Sequence, residues 1–389
     1  MTWMNRWMAL FATAALCACG TPSSPADGGT DAGVDGGAGA DAGTCAGGQA
    51  RAGGACSAGR WVEDLSACVP EATDYQPRDG VPGDDGWPAC ISDDNTYHLV
   101  GSSIPAAAAR TAAFDAMAAK LWRNASIPTP ADFLSARDDY SVAQGLASRV
   151  ARRQDVTYPE VPGGDKFACQ SAGVPEQYPD RCAGPGKLKP LIDEAFQKGA
   201  ACDEPLVQAA RIEAALLWFM HLSMMSEVWT CSFEKREDCD AAVGYYATEP
   251  SRSSHTGYAA YVHALAPGTH DALFDALLAV RCWRDADPAL PAANMALYDL
   301  AQAQVLDASL RGMAVILRDR VGKLACTQGE EREAHQAFVQ VTGGLLVHAA
   351  ESRNAQAAAR LAAFASAPSG DATAVAGIQA DLDTLFGCP

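Results

Sequence analysis

The sequence predicts an all-α protein. A multi-helix bundle ectodomain, with helix lengths that suit two adjoining bundles, follows a small disulfide-stapled, loop-rich module and a disordered tether. Three observations carry this. From residue 93 onward apolar residues recur at helical spacing, as at Ala109, Ala113, Met117 and Leu121, which share one helix face. The segment from Ile212 to Met225 is apolar almost all round, broken by Glu213, His221 and Ser223, the pattern of a helix buried on every side. No convincing run of alternating apolar and polar residues marks a strand.

Residues 1–18 read as a signal peptide. A charged start at Arg6 leads into an apolar stretch from Trp7 to Ala18. That is about 12 residues against the roughly 20 that a spanning helix needs, so it fits a signal h-region. Leu16-Cys17-Ala18-Cys19 closes the stretch. This run resembles the lipobox of bacterial lipoproteins. The resemblance implies cleavage before Cys19, lipidation of Cys19, and stable anchoring by several acyl chains where one would hold only marginally. Ordinary secretory cleavage nearby is the alternative. Gly20, in place of the aspartate that retains some lipoproteins at the inner membrane, points to the outer membrane.

Residues 19–44 form the tether. Gly20 to Thr44 holds no aromatic residue and a single branched aliphatic, Val34, with Asp27, Asp31, Asp35 and Asp41 spaced along a Gly/Ala background. Such a chain cannot bury enough apolar surface to offset its ordering entropy. Lipobox and spacer together resemble secreted lipoproteins of myxobacteria over residues 1–44, and that resemblance implies a location and no activity.

Residues 45–92 carry Cys45, Cys56, Cys68 and Cys90 among Gly, Pro and Asp, with Trp61 and Trp87 as the main apolar side chains. A piece this poor in core needs covalent staples; it either folds alone or packs as a strap. The helical domain, 93–389, opens with a helix over Pro105–Arg123. Thr129-Pro130 then pairs an N-cap with proline at N1 and starts a helix toward Arg153. Residues 155–187, rich in Pro, Gly and Asp, read as a long loop closed by Cys169 and Cys182. Helices follow at 188–199, 204–230, 237–247, 255–265, 269–284, 292–325, 330–352, 354–366 and 371–386, with Asp203 and Thr269 as expected caps.

The net charge of −18 repels phosphate backbones and anionic headgroups, which argues against nucleic acid as a partner. Two of the 14 cysteines, Cys17 and Cys19, go to the signal and the anchor. The rest form an even set, as an oxidising compartment would pair, and no CxxC pair suggests zinc. Cys231 with Cys239 and Cys326 with Cys388 are the further expected disulfides.

Candidate chemistry centres on histidines. His348 and Glu351 stand at i, i+3 on one helix and can share a metal. This HxxE pattern resembles that of imelysin-like periplasmic proteins, and implies a metal-handling, iron-linked lipoprotein; Leu346 stands where that family has glycine. His221 can join ligands from other helices, but Glu213 and Glu227 lie 8 residues before it and 6 after it on the same helix, too far along the axis to share one ion with it. A hydrogen-bonded core histidine is the alternative. His255 and His263 are expected to face loop and solvent. Tyr245, Tyr246, Tyr258 and Tyr261 surround a loop with Arg252 and Ser254, and serve either packing or a sugar or peptide ligand. No nucleophile elbow, zincin helix, P-loop or dinucleotide fingerprint occurs. The sequence therefore points to a lipoprotein on the periplasmic or cell-surface side of the outer membrane. Its expected role is non-enzymatic binding or structure, with a protein, peptide or glycan ligand and no cofactor. The metal-handling reading and an unrecognised hydrolase are its alternatives.

Overall fold

Thirteen α-helices dominate the described chain, and their order follows the helical periodicity of the sequence. The computed structural model describes residues 49–51, 54–57, 60–62, 70–78, 86–103, 105–124, 126–142, 145–165 and 167–387. The signal peptide, Cys19, the tether, Cys45, Cys68 and Cys388 lie outside the described residues, and with Cys388 the proposed Cys326–Cys388 pair. All described residues fall in one unit, Gly39–Pro389.

The module contains an element the sequence reading missed. Strands β1 (Gln49–Arg51), β2 (Gly54–Ser57) and β3 (Arg60–Val62) form an antiparallel meander in which Cys56 opposes both Gln49 and Trp61. Strands of three or four residues in a Gly/Ala background carry almost no alternation, so periodicity could not reveal them. After the sheet the chain lies as a strap on the helices. Tyr75 and Trp87 are buried edge to face, 5.3 Å between ring centres. Gln304 clamps Tyr75 through both its backbone N–H and C=O, each at 3.0 Å. Cys90 is bonded to Cys282, with Cα atoms 5.2 Å apart, so this staple joins the strap to the bundle instead of closing the module on itself.

Helix α1 (Ala106–Leu121) packs on α2 (Pro130–Val142), whose start is held by a reciprocal cap. The Thr129 hydroxyl accepts from the Asp132 N–H, and the Asp132 carboxylate accepts from the Thr129 N–H and hydroxyl. The single helix expected to reach Arg153 is broken instead: Gly145 adopts φ +67°, which glycine alone takes at little cost, and α3 (Leu146–Val150) starts afresh. The long loop then holds a short helix, α4 (Val174–Gln177), and a wide turn over Gly184–Leu188.

Next come α5 (Lys189–Ala200) and the central α6 (Pro205–Cys231), buried on nearly every face as its composition requires and flanked by α1, α5, α7 (Asp238–Tyr246) and two later helices. Asp203 does not cap α6: Glu204 occupies that position with φ +49°, and the Glu330 carboxylate accepts the Leu206 N–H instead. Helices α8 (Gly257–Leu265) and α9 (Pro267–Ala286) follow, and Thr269 is buried inside α9 because Pro267 already fills its first turn. The chain ends with α10 (Met295–Leu324), α11 (Gly329–Arg353), α12 (Ala355–Ser366) and α13 (Ala372–Phe386). Asn354 and Asp371 cap the last two through their side chains. One apolar cluster runs from Tyr75 to Phe386 through all these layers. No described helix is long and apolar enough to cross a membrane.

Candidate anion-binding cleft

Where α1 begins and α6 ends, the bundle leaves a cavity of about 630 Å³. Its other walls are the turn after α3, the loop of residues 156–170, and the start of α7. Five arginines line it: Arg110 from α1, Arg149 from α3, Arg152 and Arg153 from the following turn, and Arg181. Lys235 adds a sixth cation, and Glu160, Asp165, Glu227, Glu234 and Asp238 line the same cavity, so its described lining is close to balanced in a chain with 47 acidic residues against 29 basic ones.

The floor is built from inside. Arg110 and Arg153 are 5% and 8% exposed. Both donate to the hydroxyl of Tyr245, at 2.8 and 3.3 Å, and their guanidinium groups lie over its ring. Arg153 also pairs with Glu227 at 3.0 Å. Burial opposes the charge on Arg153, but Tyr245 and Glu227 outweigh it, so its pKa shifts up. For Arg152 the balance is reversed: burial lowers its pKa, Arg149, Arg153 and Arg110 lower it further by repulsion, and Tyr245 only partly offsets them. Among the described residues neither Arg149 nor Arg152 makes an ion pair, and the buried Nε atoms of Arg149 and Arg153 have no hydrogen-bond partner. The C-terminal end of α6 faces this charge and partly balances it.

Arg181 shapes the wall. It donates to Gln154 at 3.0 Å and to the carbonyls of Asp155 and Tyr158 at 3.0 and 2.8 Å, fixing the turn that carries Arg152 and Arg153. Beside it Cys182 is bonded to Cys169, with Cα atoms 5.3 Å apart, and across the cleft Cys231 is bonded to Cys239 at 5.2 Å. Asp238 stands between these walls, and burial pushes its carboxyl up to about 6; the Thr230 hydroxyl opposes that shift and Glu227 adds to it.

The residues singled out from the sequence are dispersed. His348 and Glu351 share a helix face, 3.8 Å apart, but Glu351 is exposed and His348 half-buried, its ring stacked on Tyr158 at 3.9 Å. His221 is buried, its Nδ1 2.7 Å from the Ser309 hydroxyl, and burial lowers its pKa to about 4. The two glutamates of its helix turn to other partners: Glu227 to Arg153, and Glu213 to Arg320 at 2.6 Å. The His255 and His263 rings stack at 3.5 Å, with His270 edge-on to both. His270 is itself held by Tyr246 and the Arg252 carbonyl. Among the described residues no group of three or more His, Cys, Asp or Glu side chains could hold a metal ion. None of the four tyrosines lines the cleft; Tyr245 is buried behind it, accepting from Arg110 and Arg153. Tyr258 donates to the Ser309 carbonyl and Tyr261 to Glu213, so both serve the core.

Sequence reasoning missed the arginines because they come from separate segments that only folding brings together. The signal was the run Arg149, Arg152, Arg153 in a chain otherwise dominated by acids. No family model, no curated protein and no solved structure matches the chain.

Proposed function

We propose that this chain is a lipid-tethered extracytoplasmic binding protein whose cleft takes a small anionic ligand. The observation that carries the reading is the convergence of five arginines on one cavity, where Arg149 and Arg152 make no ion pair among the described residues. Like charges held this close raise the folded protein's free energy, and a bound anion relieves it. Charge-assisted hydrogen bonds contribute about 1.5–3 kcal/mol each, so two or three of them total about 3–9 kcal/mol, which corresponds to millimolar to micromolar binding. The tether rests on the lipobox at Cys19 and on the acidic spacer, and the paired cysteines suit an oxidising compartment.

Two experiments test the two halves. Calorimetry on the mature chain carrying Cys19→Ser, which needs no detergent, should register binding of inorganic phosphate or acetate that weakens with added salt. Arg152→Ala should weaken it about tenfold or more; binding that ignores both salt and the substitution would sink the reading. Mass spectrometry of the native N-terminus should find an acylated Cys19, and Cys19→Ser should move the protein out of the membrane fraction.

A further inference from the structure

The walls of the cleft say what kind of anion it takes. Phe167 and Phe233 are 54% and 38% exposed, yet both line this one cavity from opposite segments. Single exposed apolar residues need no explanation. Here Trp229 also stands in the wall, edge to face against Phe233 with ring centres 4.5 Å apart. The cleft thus has a guanidinium floor and an aromatic rim.

The rim is also covalently held. Phe167 lies two residues before Cys169, just outside the loop that the Cys169–Cys182 bond closes. Phe233 lies in the turn between α6 and α7 that the Cys231–Cys239 bond closes. The Phe233 turn is fixed at both ends and Phe167 sits beside an anchored cysteine, which lowers the entropy lost when a ligand orders them. A cavity of about 630 Å³ exceeds what a bare phosphate or acetate fills and falls in the range of sites for larger organic molecules.

Resting on the anion-binding reading above, we infer that the ligand is an amphipathic anion, with one anionic group on the arginines and an apolar body against Phe167, Trp229 and Phe233. Aryl acids and short alkyl acids share this chemistry.

The test compares acetate, inorganic phosphate, phenylacetate, octanoate and the neutral phenylacetamide, by calorimetry on the Cys19→Ser chain. Phenylacetate or octanoate should bind at least about tenfold tighter than acetate, from the apolar area removed from water. The tighter of the two identifies an aryl or an alkyl body. Phenylacetamide should bind at least about tenfold weaker than phenylacetate, having lost the charge. Phe167→Ala and Phe233→Ala, both exposed positions, should erase the gain over acetate and leave acetate and phosphate affinity unchanged. Equal affinity for acetate, phenylacetate and octanoate overturns the amphipathic ligand and leaves the anion site standing, as does a gain that survives both alanine substitutions. Failure of all four anions to bind overturns the anion site as well.

Discussion

Replacing Arg320 by methionine probes the buried carboxylate of the central helix. Glu213, on the central helix, is 1% exposed. Its carboxylate accepts from Arg320 Nη2 at 2.6 Å and from the Tyr261 hydroxyl at 2.7 Å, while Trp122 Nε1 donates to the Tyr261 oxygen at 2.6 Å. With charge centres about 4 Å apart and an effective dielectric near 20, the pair attracts by roughly 4 kcal/mol. Methionine keeps much of the packing of the Arg320 stem against Phe338, whose ring the guanidinium covers at 4.5 Å, but strands the carboxylate. Removing one partner of a buried pair costs about 3–5 kcal/mol, mostly as desolvation of the charge left behind. Adding Glu213→Gln removes that charge and leaves an amide oxygen for Tyr261, so the double variant should recover most of the loss. Guanidinium unfolding followed by far-ultraviolet circular dichroism measures both. A loss below about 1 kcal/mol for Arg320→Met, or a double variant no more stable than the single one, would refute the reasoning.

Three further outcomes follow from the same structure. Asp238 has a folded pKa of about 6 against 3.8 in the unfolded chain, so its contribution to stability is present at low pH and is lost as pH rises from about 4 to 6. Its protonation removes a negative charge from the cleft, so anion affinity should rise as pH falls through 6, and Asp238→Asn should flatten that dependence in calorimetry. Burial, then Arg320 and Lys323, hold the His335 imidazole down to about 2 against 6.5 unfolded. Its contribution is therefore present above 6.5 and drains as pH falls, by about 2 kcal/mol at pH 5. The stability advantage of wild type over His335→Gln should shrink by that amount between pH 7 and 5 in urea titrations. Cys90→Ala with Cys282→Ala opens a loop of 192 residues, worth about 5 kcal/mol by chain entropy. The strap should then become protease-sensitive and the unfolding midpoint should fall; an unchanged midpoint would count against the staple.

The sequence by itself determined what local chemistry determines. Helices α6 through α13 fall within a few residues of their expected ranges, because apolar spacing, prolines at first turns and caps such as Thr129 with Asp132 act over three or four residues. The short pairs Cys169–Cys182 and Cys231–Cys239 were legible for the same reason, since each closes one loop. Tertiary structure alone decided the rest. Cys90 and Cys282 are 192 residues apart, and nothing near either names the other. His221 and Glu213 share a helix, yet packing sends one to Ser309 and the other to Arg320 and Tyr261. The cleft is the clearest case. Arg110, Arg153 and Arg181 belong to three separate segments, and only the packing of α1, the α3 turn and the stapled loop around the end of α6 turns scattered charges into one site. Secondary structure is encoded in neighbours along the chain, whereas a binding site is encoded in neighbours that only folding creates.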